Sequence, residues 1–480
     1  MILSMAVTLL LATPAIPAAD LKADARLLRQ TLEALHPGLM RYLSPGEVEA
    51  AFAALDAEFR EDRTLAEAFV AFARLTARVR CGHTYPNFAN QPKAVAEGLF
   101  ERTRRLPFYF RWLDGRMVVT RALGADARLR PGSEVLTIDG VRAATVLARL
   151  LPLVRADGSN DGKRVSLLEV QGRGKYEAFD VYFPLLYPSD SSSFELRVRG
   201  PGASRVERVV VAAQTAGDRR SAQLASSETA AADAPLWTLE WPDTRTAVWR
   251  MPTWATYNSK WDWKQALTRG FDDLAARGAR TLILDLRANE GGTDEVGRII
   301  LSHLATQDLR LREVVRRVRY RRVPDALSPY LDTWDPSFKD WGAAAIDEGG
   351  GFYRLADKDE AGDEVVRPAA PRFSGRVFAL TSPVNSSATF AFLQTVKRAG
   401  LATLVGQATG GNHRGTNGGA FFFLRLPHSA IEVDLPLIGY FPEGAQPDAG
   451  LDPDVAVVPT IHDVAAGRDV EMEAVQRALR

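Results

Sequence analysis

The 480-residue chain has a single cysteine, Cys81, which excludes an internal disulfide framework and a cysteine-based zinc site. Lysine is scarce as well: nine of the 60 basic residues are lysines, and the last of them is Lys397. Neither sign of charge is in excess, because 60 basic residues meet 59 acidic ones; no global field draws the chain to nucleic acid or an anionic membrane. A long hydrophobic run is missing too. The apolar stretch at residues 2–12 falls short of the roughly 20 residues that a stable membrane span requires. With 46% hydrophobic and 25% charged residues the chain is neither disordered nor a coiled coil, and its length implies two or three folded units.

Residues 1–19 carry no charged side chain and end in the small, turn-forming run Pro14-Ala15-Ile16-Pro17-Ala18-Ala19. The pattern predicts a secretory signal cleaved near Ala19, although the usual basic start is absent. A periplasmic or secreted location follows, with which a lone cysteine is compatible.

Residues 20–100 read as a helical domain. Leu21, Leu28, Leu32 and Leu35 recur at helical spacing, and Ser44-Pro45-Gly46-Glu47 opens a second helix with a capping residue and an early carboxylate. A third run, 65–79, stops at Arg80-Cys81-Gly82-His83-Thr84 and leaves His83 on the turn beyond it. Residues 101–212 change to short β segments, predicted at 108–112, 117–122, 135–138, 181–185 and 194–198. Within them, 129–141 gives a turn, an alternating strand and an Asp139-Gly140 hairpin signal, followed by a helix at 144–151. This order resembles a PDZ-like domain, which holds an extended peptide as an added strand, but the glycine-containing carboxylate-binding loop of such domains is missing.

Residues 213–240 read as a linker. After them strands and helices alternate through 241–306 and 373–462, including a strand at 281–286 that is apolar on both faces, as in a buried parallel sheet. The intervening 307–372 reads as an insertion or lid, and 463–480 as a carboxyl-terminal helix.

Two strand ends carry candidate chemistry. Leu380-Thr381-Ser382-Pro383-Val384-Asn385-Ser386-Ser387-Ala388 runs from an apolar strand into a helix start, where a hydroxyl can project and free amides can meet developing negative charge. Taken alone, such a serine is a helix cap. Leu284-Asp285-Leu286-Arg287-Ala288-Asn289-Glu290-Gly291-Gly292 ends a second buried strand with glycines that admit close backbone approach. Open α/β sheets bind ligands where such strand ends face each other.

These segments, in order with Leu404-Val405-Gly406-Gln407-Ala408-Thr409-Gly410-Gly411 and Gly450-Leu451-Asp452-Pro453-Asp454, resemble the tail-specific or carboxyl-terminal processing serine peptidases. The resemblance covers about residues 106–458. It implies a multidomain α/β protein: a ClpP/crotonase-like catalytic core, a PDZ-like β-rich domain and an amino-terminal helical domain. It places the nucleophile on Ser387, with Ser386 the neighbouring alternative, and the oxyanion donors on the amides of Ala388 and of Gly291 or Gly292. One branch of the family uses a lysine base about 25 residues after the serine. That position here is Asn412, and no lysine follows Lys397.

The other, tricorn-like branch uses an earlier histidine and a late carboxylate, and Gly82-His83-Thr84 resembles its Gly-His-Thr signature. A neutral imidazole can take the serine proton near neutral pH, so His83 is the expected base. Asp448 is the preferred orienting carboxylate and Glu443 the alternative. His413 is the runner-up base, while His36, His303, His428 and His462 read as structural. The expected activity is hydrolysis of a polypeptide substrate without metal or cofactor, by an exported enzyme that binds no nucleic acid and keeps no membrane span. A non-catalytic peptide- or lipophile-binding protein on the same fold is the alternative.

Overall fold

A computed structural model describes residues 15–101, 103–124, 126–224, 234–311, 314–356 and 365–480. Three helices, Ala18–Leu35, Pro45–Glu58 and Leu65–Arg78, form an amino-terminal cap. Ser44 and Thr64 open the second and third with reciprocal capping boxes to Glu47 and Glu67, which satisfies the first free amides of each helix. Helix one begins at Ala18, with Ile16 paired to Arg63, so a cut near Ala19 would fall inside the first turn of this helix. The apolar stretch 2–12 lies outside the described residues.

The second unit is an antiparallel sheet ordered Phe108–Leu113, Arg116–Ala122, Glu134–Ile138, Ser193–Arg199 and Val206–Ala212, with the helix Ala143–Leu150 beside it. The predicted strand at 181–185 is instead part of the helix Ala178–Leu186. A short apolar run cannot distinguish a buried strand from a buried helix, and here Phe179, Tyr182 and Phe183 pack inward at helical spacing. The outer edge of Phe108–Leu113 is occupied by the chain itself: Phe110 and Val170 exchange both backbone hydrogen bonds, at 2.9 and 3.3 Å.

The predicted linker is partly folded. It contains the helix Ala216–Leu224, anchored by buried Arg219, which pairs with Asp180 at 3.2 Å. Strand Thr238–Glu240 then joins the central sheet as its antiparallel edge. That sheet runs Val455–Ala456, Thr403–Gly406, Arg376–Thr381, Thr281–Asp285, Thr246–Arg250 and Thr238–Glu240, and all pairings but the last are parallel. Helices Trp263–Ala276, Asp294–Leu304 and Ser387–Arg398 cover one face, and Val470–Leu479 packs on the other through Ala474 and Val475.

Residues 307–372 are more than a lid. Their strands Val314–Val318, Leu331–Asp332, Ala345–Gly349 and Phe352–Leu355 combine with Asn417–Arg425 and Glu432–Pro442 into a six-stranded antiparallel sheet. This sheet shares one hydrophobic core with the cap and the first sheet, while the parallel sheet has its own. The segments are far apart in sequence, so no local pattern could reveal their pairing. Among the described residues no helix is long and apolar enough to cross a membrane.

Candidate active site

The site lies at the carboxyl ends of the parallel strands Thr281–Asp285 and Arg376–Thr381, the crevice that such sheets reserve for ligands. Two fully buried asparagines fasten the loops that leave these strands. Asn385 donates to the carbonyls of Leu286 (2.6 Å) and Asn289 (2.9 Å). Asn289 donates to the Met251 carbonyl (2.8 Å) and accepts from Gly291 N (3.0 Å) and the Thr389 hydroxyl (2.8 Å).

Ser387 begins the helix Ser387–Arg398 with φ +50°, a left-handed conformation that a serine adopts only at a cost of about 1–3 kcal/mol. Its hydroxyl makes no hydrogen bond among the described residues, and the side chain is partly exposed. Ser386 is the opposite case. It is 1% exposed; its oxygen accepts from Lys163 Nζ at 2.6 Å while its hydroxyl donates to the Glu290 carbonyl at 3.0 Å. A hydroxyl committed on both sides is a strut, whereas the neighbouring Ser387 hydroxyl is uncommitted among the described residues.

Gly291 lies against this turn. A Cβ there would sit 2.8 Å from Ser387 Cβ and 3.2 Å from Ala388 N, so only glycine fits. Ala388 N is a free first-turn amide, pointed to by the unsatisfied helix start. Gly291 N is already given to Asn289, whereas Gly292 N has no partner among the described residues; of the two glycines, Gly292 keeps the freer donor.

His83 stands on the turn after helix Leu65–Arg78, beside the ring of Phe421 at 5.9 Å. Its Nδ1 is sealed from solvent and has no hydrogen-bond partner, and Nε2 is not so sealed. Burial lowers the pKa to about 4; Arg155 and Lys163 add to that effect, and Asp157 and Glu290 oppose it. The imidazole is therefore neutral at physiological pH, as a base must be.

Arg155, Lys163 and Glu290 form the charged centre of the site. Glu290 pairs with Arg155 at 2.7 Å and Lys163 at 2.9 Å, and Arg155 also donates to the Gly82 carbonyl at 2.6 Å. Burial opposes the charge on Glu290, but the two cations outweigh it and hold the carboxyl far below the usual range. The turn bearing His83 and the loop bearing Gly291 are thus tied through one carboxylate.

Asp448 accepts from Ser159 N (2.9 Å) and Asn412 Nδ2 (2.7 Å) on one oxygen and from Ser159 Oγ (2.8 Å) on the other. Burial alone would raise its pKa, and these hydrogen bonds lower it. Glu443 is exposed and its carboxylate makes no hydrogen bond or ion pair among the described residues, so it has neither the burial nor the partners of an orienting group. Asn412, at the position of the lysine base in the other branch, is buried and serves Asp448. Lys397 binds the Asp452 carbonyl and pairs with Asp454 at 3.0 Å, a tie between helix and loop.

The remaining histidines have fixed duties. His36 is buried between Thr84 (2.9 Å) and Gly38 N (3.1 Å); His303 bonds the Pro371 carbonyl, His413 meets Gln394, and His428 faces Asp20 at 3.5 Å. Among the described residues no group of three or more His, Cys, Asp or Glu could hold a metal ion. Arg155, Asp157 and Lys163 were not singled out from sequence. Their only signal is the polar, glycine-punctuated run Asp157-Gly158-Ser159-Asn160-Asp161-Gly162-Lys163, whose destination depends on tertiary folding.

A cavity of about 1250 Å³ opens beside the site, lined by Tyr85, Phe88, Tyr176, Tyr182, Arg155 and Glu290 among others. It adjoins Val384, three residues before Ser387.

Comparison with known proteins bears on family and fold. Residues 245–457 match the family model of Peptidase family S41. The fold is similar to mature CPAF complexed with lactacystin: TM-score 0.66, 16% identity, 96% of this chain and 98% of that one covered. Mature CPAF in a second crystal structure gives TM-score 0.65, 16% identity and coverage of 95% and 96%. The photosystem II D1 C-terminal processing protease aligns over 94% of this chain and 98% of its own at 15% identity, with TM-score 0.40. No curated protein matches the chain by sequence.

Proposed function

Residues 245–457 match Peptidase family S41, and we propose that the chain is an exported serine-type endopeptidase. Its substrates are unfolded or tail-presented polypeptides, cleaved by Ser387 and His83 with a carboxylate behind the histidine. The observation that carries this reading is the strained Ser387 at a helix start, its hydroxyl uncommitted and Gly291 packed against it.

In the mechanism, His83 Nε2 takes the Ser387 proton as Oγ bonds to the scissile carbonyl carbon. The carbonyl oxygen gains the negative charge and is met by the amides of Ala388 and Gly292. Collapse expels the amine, which receives the proton from His83 and leaves an acyl-Ser387 ester. Water, deprotonated by the same imidazole, then attacks the ester, and the serine is restored.

The aromatic cavity beside Val384 supplies room for side chains of an extended peptide. In this reading the core is ClpP/crotonase-like and the first antiparallel sheet is a PDZ-like unit. Strand addition at Phe108–Leu113 would have to displace Val170, so a peptide tail entering there competes with the chain's own segment. Export rests on the apolar start of the chain.

The deciding experiment is labelling with a fluorophosphonate together with cleavage of a casein-type unfolded substrate. Wild type should label and cleave, and Ser387→Ala and His83→Ala should do neither while remaining folded. A wild-type protein that is folded and neither labels nor cleaves would refute the reading. Labelling that persists in Ser387→Ala would move the nucleophile elsewhere.

A further inference from the structure

Deepening the reading above, on which it rests, we propose that Asp157 is the carboxylate that positions His83, and that Asp448 acts as a clamp on the segment carrying Asp157. The first observation is a pair of vacancies in the hydrogen-bond pattern. His83 Nδ1 and Asp157 Oδ2 are both sealed from solvent, and among the described residues neither has a hydrogen-bond partner. A buried ring nitrogen and a buried carboxylate oxygen left unpaired each cost about 1–3 kcal/mol, so two complementary orphans in one neighbourhood are an unfinished bond.

Their proximity follows from Gly82. The other oxygen of Asp157 accepts Gly82 N at 2.8 Å, and a Cβ on Gly82 would lie 2.9 Å from Oδ2. The glycine immediately before His83 is thus explained: any side chain there would strike the carboxylate. Catalytic hydrogen bonds are often slack in a free enzyme and close in the substrate complex, and a small rotation of the imidazole toward Asp157 would satisfy both atoms. Nδ1–H then donates to Asp157, which holds Nε2 toward the cleft and stabilises the imidazolium formed when Ser387 is deprotonated.

The charges around His83 agree. Asp157 and Arg155 act from the segment after the first helix of the antiparallel sheet, Lys163 from the helix Asp161–Leu167, and Glu290 from the loop after Thr281–Asp285. Asp157 is the strongest of those that favour the cation, and it acts on Tyr42 more strongly than Asp448 does. Asp448 is also fully engaged, its two oxygens holding Ser159 and Asn412. Asn412 in turn donates to the Asp157 carbonyl at 3.3 Å, and Gly158, between Asp157 and Ser159, is packed against Asp448. Asp448 therefore anchors the backbone on which Asp157 is mounted.

The test is Asp157→Asn, with Asp157→Glu as the second variant. Asparagine at 157 can still accept from Gly82 N and puts an amide NH2, which cannot accept the Nδ1 proton, in place of Oδ2. We expect kcat on a peptide to fall about 10²- to 10⁴-fold with KM unchanged within about twofold. A peptidyl boronate bound to Ser387 traps His83 as imidazolium, and the low-field Nδ1 proton resonance of that adduct should be present in wild type and lost in Asp157→Asn. Retention of the resonance and of kcat in Asp157→Asn would overturn the assignment. If Asp157→Asn does not fold, Asp157→Glu decides: moving the carboxylate by one methylene should shift the resonance and lower kcat, and an unshifted resonance with wild-type kcat refutes the proposal. Failure of the underlying reading is distinct, since wild type itself would then form no boronate adduct at Ser387.

Discussion

Replacing Lys163 with methionine keeps the volume of a 1%-exposed side chain and removes its ammonium. Two groups lose a partner. The Ser386 oxygen gives up a 2.6 Å charged hydrogen bond, and Glu290 gives up one of two cations. Breaking a buried ion pair from one side costs about 3–5 kcal/mol. The lower end applies here, because Arg155 stays 2.7 Å from Glu290 and the carboxylate is 39% exposed, so water can compensate in part. We expect a loss of about 3 kcal/mol in urea unfolding, with the m-value unchanged.

Catalysis should suffer separately from stability. Ser386 immediately precedes Ser387, and its oxygen links this turn directly to Lys163. A displacement near 1 Å at the reacting atom costs about 10²-fold. Under conditions where Lys163→Met is fully folded, kcat should therefore fall about 10²-fold with KM little changed. Wild-type kcat together with a stability loss below about 0.5 kcal/mol would refute the view that this buried lysine braces the site. Glu290→Gln supplies the control: it leaves both cations without a counter-charge and should be at least as damaging.

Further outcomes follow from the same geometry. Gly291→Ala should lower kcat about 10²- to 10³-fold, because the added methyl reaches Ser387 Cβ and Ala388 N; unchanged burst kinetics with an activated ester would contradict the oxyanion assignment. Ser386→Ala should still react with a fluorophosphonate, whereas Ser387→Ala should not, as read by mass spectrometry of the labelled peptide. Since the His83 base has its pKa lowered to about 4, kcat/KM should stay level as pH drops below 6.5 and fall only toward pH 4; an acid limb centred at 6.5 would refute the buried, neutral imidazole. Stability should fall over the same range: His36, lowered to about 3, and His83 remain neutral when folded, while the unfolded chain takes up protons below about pH 6.5. Glu290 adds a second loss at lower pH, because its depressed folded pKa stabilises above about pH 4.5 and that contribution disappears as pH falls further. Urea midpoints measured from pH 7.5 to 4 should therefore decline steadily, and a flat profile would contradict both assignments.

The parts legible in the sequence are those whose signal is local. Capping residues and leucine spacing mark the cap helices, and glycines at a strand end mark the loop that meets Ser387. The strained serine itself was readable only as one of two neighbours, because the choice depends on which hydroxyl Lys163 captures, 223 residues away. The sheet built from 314–355 and 417–442 was hidden for the same reason: its pairings join segments that carry no shared periodicity. Arg219 shows the limit in miniature. An arginine in an Ala/Ser/Thr-rich stretch reads as solvated linker, and only the presence of Asp180 and the Leu106 carbonyl makes it a buried anchor.

Scarcity of lysine points away from a lysine base at its usual site, and the surroundings of Lys163 bear on the same question. Lys163 does approach a serine at 2.6 Å, the distance of a Ser-Lys dyad, yet that serine is Ser386, and the same ammonium is also paired with Glu290 at 2.9 Å. Lys163 places positive charge near His83, which favours the neutral form of the imidazole. In the proposed mechanism one lysine thus serves twice: it occupies the hydroxyl of Ser386, and its charge favours the neutral form of His83.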